Sequence, residues 1–145
     1  MSAERALLQI GEVAERVGLS LRTVRYYEEV GLVTPSARTD GGFRLYSEDD
    51  VQRLLVIKRM KPLGLSLEEM RELVETLERS AQPEKLGQRA LRDVHGTLAE
   101  YAERADGRIE RLERDLGEAR QLRIRIGERL GRCEAELERT PAASR

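Results

Sequence analysis

The sequence predicts a mainly α-helical chain: a small head of short helices that contains one β-hairpin, followed by a single long helix. Three observations predict it. Apolar residues recur at helical spacing in four short stretches between residues 10 and 77, turn-forming residues cluster between 35 and 42, and an apolar seam runs from 102 to 137. Charged residues make up 37% of the 145 positions and aromatic residues only 3%, which favours long helices over one large globular core. We expect a head over residues 1–80, a long helix over 81–139 and a flexible tail over 140–145.

The first two predicted helices form a helix-turn-helix pattern. Ile10, Val13, Ala14 and Val17 share one helical face, and Gly18 ends that helix. Ser20 can cap a second helix over roughly 21–30, because a serine hydroxyl accepts from the free amides of a first turn. We expect this second helix to bury two residues and to present five. The buried pair is Leu21 and Val24, and the presented residues are Arg22, Thr23, Arg25, Tyr26 and Tyr27.

A β-hairpin and two further helices complete the predicted head. Pro35 and the run Asp40-Gly41-Gly42 are residues typical of turns, and short segments of alternating polarity flank them. Capping-box patterns then begin two helices, the first at Ser47 with Asp50 and the second at Ser66 with Glu69. Pro62 should end the first of these near residue 60 or 61.

The long helix carries an apolar seam typical of a coiled coil. Its positions alternate at steps of three and four residues, and Arg123 interrupts them. Upstream, Leu91, Val94, Leu98 and Tyr101 keep the spacing in a shifted phase, so we expect a stutter near 101–105 and a possible break at Gly96. A single helix cannot bury such a seam, so a partner chain is predicted. The seam positions are Ala102, Ala105, Ile109, Leu112, Leu116, Ala119, Ile126, Leu130, Cys133 and Leu137.

Composition excludes several classes of protein. One cysteine allows no intrachain disulfide, and four-cysteine iron–sulfur ligation is excluded by count. No apolar run approaches the roughly 20 residues of a membrane span, and no signal-peptide pattern begins the chain, so we expect a cytoplasmic protein without membrane contact. No nucleophile–base pair, phosphate loop or carboxylate cluster indicates an enzyme, and we expect no cofactor and no metal. The net charge of −1 has little weight, because nucleic-acid binding depends on local charge.

Three fragments in order resemble the MerR family of bacterial transcription regulators. They are IGEVAERVGLSLRTVRYYEEVGLVTP, RTDGGFRLYSEDDV and LGLSLEEMRELV. The resemblance implies a winged helix-turn-helix head whose second helix docks in the major groove, and a long antiparallel coiled coil that joins two heads. It implies partners as well: a palindromic promoter site in double-stranded DNA, a second copy of the chain, and RNA polymerase. Members of the family distort an over-long promoter spacer, which is readout through DNA deformation.

The resemblance also implies DNA-contact residues. In the second helix, Arg25 and Tyr27 match phosphate contacts, while Arg22 and Thr23 are weaker candidates for base contact and Tyr26 for phosphate. The wing residues that match are Arg38, Phe43, Arg44 and Tyr46, and Lys61 matches a basic position in a second wing. Phe43 departs from the tyrosine usual at its position and so lacks a hydroxyl, and Pro62 beside Lys61 is unusual.

Two alternatives remain beside the promoter-binding hypothesis. Cys133 occupies a seam position that suits a small buried residue, but it also allows a sensor switched by oxidation or alkylation of the thiol. In an antiparallel pair centred near residue 114, His95 would approach Cys133 of the second copy. The other alternative is an interaction adaptor that uses the coiled coil and binds DNA weakly. The sequence indicates no effector domain, so any small-molecule effector is unknown.

Overall fold

The computed structural model describes residues 6–140, and contacts within the chain divide it into two compact units between residues 102 and 103. The first unit contains β1 (Leu8–Gln9), α1 (Ile10–Val17), α2 (Leu21–Glu29), β2 (Ala37–Arg38), β3 (Arg44–Tyr46), α3 (Glu48–Met60), α4 (Leu67–Arg79) and the first part of α5 (Gln88–Arg139). Two short 3-10 turns, Lys61–Leu63 and Pro83–Lys85, precede α4 and α5. The second unit holds the rest of α5.

The predicted caps begin the helices. Ser20 Oγ accepts from the amide of Thr23 at 3.1 Å, and reciprocal capping boxes form at Ser47 with Asp50 and at Ser66 with Glu69. Gly18 adopts φ +68°, a left-handed conformation that lets its amide bind the last carbonyls of α1 and turns the chain into α2. The helix-turn-helix and the end of α3 at Met60 are therefore confirmed.

The sheet has three antiparallel strands in the order β1-β3-β2. The β2–β3 hairpin was predicted, and its register pairs Ala37 with Leu45. The strand β1 was not predicted, because two residues are too short to show a period. It pairs Leu8 with Tyr46 and so holds the N-terminal side of α1 against the hairpin.

Two apolar clusters form the core of the head. The first joins α1, α2, the hairpin and α3 around Val24, Tyr46 and Leu54. The second joins α3, α4 and α5 around Ile57, Leu73 and Tyr101. Tyr27 packs against both clusters, so α2 lies at their junction.

Basic side chains from α3 and α4 bind backbone carbonyls at the end of α1, at the end of α2 and in the loop that follows α2. Lys58 Nζ donates to the carbonyl of Val17 at 2.8 Å, and Arg53 Nε donates to the carbonyl of Leu32 at 2.6 Å. Arg71 donates to the carbonyl of Val30. These bonds satisfy groups that a helix cannot satisfy itself, and they tie the helix-turn-helix to the helices behind it.

The head extends further than the boundary at residue 80 that the sequence predicted. Tyr101, on α5, is buried in the second cluster, and its hydroxyl donates to Glu72 Oε1 at 2.7 Å. Val94 is also buried. These contacts make residues up to Ala102 part of the head's compact unit.

The second unit is a bare helix with its seam exposed. Its large apolar side chains run from 37% exposed at Leu112 to 74% at Leu137. The helix α5 is continuous through Gly96, so the break considered there is wrong. Of the predicted tail, Thr140 still donates its amide to the carbonyl of Glu136, and 141–145 lie outside the described residues.

Replacing Lys58 with methionine should lower the free energy of unfolding by about 1 to 2 kcal/mol, because it leaves the Val17 carbonyl without a charged donor. Urea unfolding followed by circular dichroism measures the change. The neighbouring Arg59 is exposed, and Arg59→Met is the matched control, with an expected change below about 0.5 kcal/mol. Equal losses in the two variants would contradict a structural role for the Lys58 bond.

Candidate nucleic-acid interface

The outer face of α2 presents basic and aromatic side chains. Val24 is buried beneath it, while Arg22, Arg25 and Tyr26 are exposed. Neither arginine forms a hydrogen bond or ion pair with any residue in the described part of the chain. Leu21 was expected in the core but is 42% exposed, because it is the first residue of α2 and lies beyond the packed turn.

The remaining predicted residues of α2 are already engaged within the head. Thr23 Oγ1 lies 2.8 Å from Ser20 Oγ, so its hydroxyl belongs to the helix cap. Tyr27 is half-buried between the two core clusters, with its ring centroid 6.0 Å from that of Tyr26. Tyr26 is therefore the more accessible of the two tyrosines.

The β2–β3 hairpin forms a wing with an exposed aromatic tip. The amides of Thr39 and Gly42 close its turn, and Gly42 takes φ +83°, which favours glycine. Arg38 Nη1 donates to the carbonyl of Gly42 at 3.2 Å. Phe43 is 71% exposed, so a large apolar ring projects from a turn that is otherwise polar.

Glu28 joins this wing to α2. Its side chain is only 12% exposed, and it accepts a hydrogen bond from the Tyr46 hydroxyl at 3.3 Å. It also pairs with Arg44 through Nε, and with Arg38 through Nη2 at 3.5 Å. The sequence analysis did not single out Glu28, because an acidic residue in a basic helix gives no signal of its partners.

Tyr46 does not lie on the surface with the other predicted residues. Its side chain is 0% exposed, and its position in the centre of the sheet packs it into the first core cluster. A residue without exposed surface cannot touch DNA in this conformation, so the prediction of a direct contact is corrected to a positioning role. Burial and the carboxylate of Glu28 raise the pKa of Tyr46 to about 12, which keeps the hydroxyl protonated and able to donate.

The end of α3 supplies two further exposed cations. Lys61 begins the 3-10 turn Lys61–Leu63, and Pro62 fits this turn because its missing amide is not needed in a first turn. Arg59, two residues earlier, is also exposed and was not predicted. The cluster of basic residues Lys58, Arg59 and Lys61 could have indicated it from the sequence. Of these three, only Lys58 is bound to a backbone carbonyl in the described residues.

Nothing in the described residues assembles a metal centre. Cys133 is exposed on α5, and no group of three or more histidine, cysteine and acidic residues could hold a metal within residues 6–140. Over the same residues, no helix combines the length and apolarity that crossing a membrane requires.

Comparisons with known proteins agree with this geometry. A model of the MerR HTH family regulatory protein matches residues 8–77. The chain is 38% identical over 99 residues to the transcriptional regulator ZntR of Escherichia coli K12, covering 65% of this chain and 70% of ZntR. It is 51% identical over 70 residues to the regulator YfmP of Bacillus subtilis, covering 48% and 50% of the two chains.

A solved structure shares the fold. It is HiNmlR, a MerR family regulator lacking the sensor domain, bound to promoter DNA, with a TM-score of 0.58 at 22% identity over 77% of this chain and 79% of that one. Among the first four curated relatives, the chain spans between 31% and 54% of the relative's own length.

Helix-turn-helix, wing and exposed basic face together define a winged helix-turn-helix head. The chain belongs to the MerR family.

The pKa of Tyr46 predicts a loss of stability in alkali. Because the folded-state pKa lies above the ordinary value of about 10, the Tyr46 hydroxyl stabilises the fold below pH 10, and that contribution disappears as the pH rises towards 12. Melting temperatures between pH 9 and 12 should fall more steeply for the natural chain than for Tyr46→Phe. Tyr26→Phe, at an exposed position, should keep the natural profile. Identical profiles of melting temperature against pH for Tyr46→Phe and the natural chain would show that Tyr46 does not cause the loss of stability in alkali.

Proposed function

We propose that the protein binds a palindromic promoter site as a homodimer, with α2 of each head in the major groove and the wing on the flanking backbone. The observation that carries this proposal is the outer face of α2, where Arg22 and Arg25 are exposed and unpaired within the described residues. A helix in the major groove reads bases with one face and is held by phosphate contacts on either side.

Charge supports assigning DNA contact to these two arginines. Arg53, Arg71 and Lys58 are bound to backbone carbonyls, so their charge is committed to the fold. Arg22 and Arg25 lie three residues apart, so they share one face of α2. We assign Arg25 and Tyr26 to phosphates and Arg22 to a base edge, with Phe43 and Arg38 of the wing and Lys61 against the backbone.

The homodimer is supported by the exposed seam of α5. Leucine and isoleucine side chains recur on it at coiled-coil spacing and remain open to solvent in a single chain. Such a face is a protein-interaction surface. Two-fold symmetry of the protein would then require a two-fold repeat in the DNA site.

We further propose that the dimer bends the promoter spacer so that RNA polymerase can engage both of its promoter elements. Circular-permutation gels on a site selected from genomic DNA test this. A mobility that varies with the position of the site indicates bending, and a constant mobility excludes it.

Replacing Arg25 with alanine should weaken binding to all sequences alike and reduce the slope of log affinity against log salt by about one, because one phosphate contact is lost. Fluorescence anisotropy at several salt concentrations measures both quantities. Arg111→Ala, at an exposed position in the second unit, is the matched control and should change neither. A changed sequence preference with an unchanged slope would reassign Arg25 from phosphate to base.

Replacing Phe43 with tyrosine should strengthen DNA binding by about two- to tenfold, because the hydroxyl adds a hydrogen bond to phosphate worth about 0.5 to 1.5 kcal/mol. The side chain is exposed, so the fold should not change. Phe43→Leu keeps an apolar tip without the ring and serves as the control. If Phe43→Tyr binds no better than the natural chain, the wing tip does not face a phosphate.

A further inference from the structure

We infer that Glu28 is a positioning residue for DNA binding: it holds the wing in place against α2, and the preference for one DNA site over others depends on it. Its side chain is only 12% exposed, so it acts through its neighbours rather than by touching DNA. This role rests on the DNA binding proposed above, and it adds the residue that aligns the two contact surfaces.

Apolar packing fixes only the base of the wing. Tyr46, at the end of β3, is buried in the first core cluster. The hydroxyl of Ser36 binds Asp50 of α3 at 2.6 Å, which is also at the base. No described residue from 34 to 45 belongs to either apolar cluster, so the core does not hold β2 or the turn that follows it. Hydrogen bonds and ion pairs therefore have to set the position of the outer part of the wing.

Glu28 makes these polar contacts on behalf of α2. Its carboxylate accepts from the Tyr46 hydroxyl at 3.3 Å, pairs with Arg44 Nε, and lies 3.5 Å from Arg38 Nη2. Within residues 6–140, every hydrogen bond or ion pair between α2 and residues 36–46 involves this one side chain. Without Glu28 the wing would keep its own strand pairing but would lose its polar attachment to α2.

Arg38 extends this attachment to the tip of the wing. Its Nη1 donates to the carbonyl of Gly42 at 3.2 Å while Nη2 faces Glu28, so one guanidinium joins α2 to the turn. The next residue, Phe43, is fixed to the same turn, because its amide donates to Thr39 Oγ1 at 3.1 Å and its carbonyl accepts from the Thr39 amide at 2.9 Å. The aromatic tip is thereby placed relative to the outer face of α2.

Electrostatics alone predicts the opposite of a positioning role. Glu28 is an acidic residue on a helix whose exposed arginines are proposed to meet DNA. Removing its charge makes the head more positive, which would strengthen binding to DNA of any sequence. A positioning role predicts weaker binding to the specific site, because α2 and the wing would no longer be arranged in advance to meet the DNA together. The sign of the change in affinity distinguishes the two.

Glu28→Gln is the variant that tests this role. The amide has the shape of the carboxylate and can still accept from Tyr46, but it carries no charge to pair with Arg44 or Arg38. Fluorescence anisotropy measures binding to the site selected from genomic DNA and to a random duplex of the same length. Affinity for the selected site should fall about tenfold, the scale of one lost charge-assisted hydrogen bond. Affinity for the random duplex should stay the same or rise.

Glu29→Gln is the matched control. It removes the same charge one residue further along α2, from an exposed side chain that has no hydrogen bond or ion pair within the described part of the chain. Its affinity for both duplexes should stay the same or rise slightly. If Glu28→Gln behaves like Glu29→Gln, Glu28 acts only through its charge and the positioning role is wrong.

Two readouts separate positioning from a general loss of structure. A partly unfolded variant loses affinity for the two duplexes by the same factor, whereas a displaced wing lowers the ratio between the two affinities. Hydroxyl-radical footprints at saturating protein should keep the central protection expected from α2 and lose the flanking protection expected from the wing. Protection of both regions by Glu28→Gln, with an unchanged ratio of affinities, would overturn the inference.

Arg38→Lys decides the question if Glu28→Gln does not fold. The Arg38 side chain is 55% exposed, so the substitution leaves the core intact and keeps the charge that a simple phosphate contact needs. A lysine ammonium is a single point charge and does not reproduce the two-sided contact with Gly42 and Glu28. The positioning role therefore predicts the same lower ratio and the same loss of flanking protection, and a natural ratio and footprint would overturn it. A natural chain that does not distinguish the selected site from the random duplex would instead overturn the proposed function itself.

Discussion

The arrangement of the head depends on one nearly buried carboxylate, that of Glu28. A buried charge is costly unless it is paired and hydrogen-bonded, and Glu28 meets this condition only when Tyr46 and Arg44 of β3 and Arg38 of β2 are in place. Because Glu28 belongs to α2 and its partners belong to the wing, the same interaction sets the position of the wing relative to α2. The two surfaces proposed to contact DNA are thus held as one body.

Some basic residues are bound within the head and others are exposed, which explains how a chain with a net charge of −1 can present a cationic face. Arg53, Lys58 and Arg71 bind backbone carbonyls at the end of α1 and after α2, and Arg44 pairs with Glu28. These four cations are therefore held by partners within the head. The exposed cations of α2 act at short range, where screening by salt is incomplete, so local placement matters more than the total.

The sequence was sufficient to predict the elements that have strong local signals. It was insufficient to predict burial that depends on contacts between residues far apart in the chain. The helices and the hairpin were predicted from capping residues, glycines at turns and helical periods. Each of these signals acts within a few residues of the chain. Tyr46 was assigned to DNA contact from its match to the family's wing pattern, and a strand of three residues does not itself say which face is covered. Val94 and Tyr101 were assigned to the coiled coil because their spacing suits either of two faces of α5. Only long-range burial, and for Tyr101 the contact with Glu72 of α4, shows which face the head covers.

The first part of α5 belongs to the head. Tyr101 fixes it to α4, Leu98 packs against the same cluster, and Val94 is buried as well. A change in how α5 packs on α4 would be felt through Arg71 at the end of α2, since Arg71 of α4 holds the carbonyl of Val30. The helices α5 and α2 are therefore connected by contacts within a single head, which is the physical requirement for any effector acting at α5 to alter DNA binding.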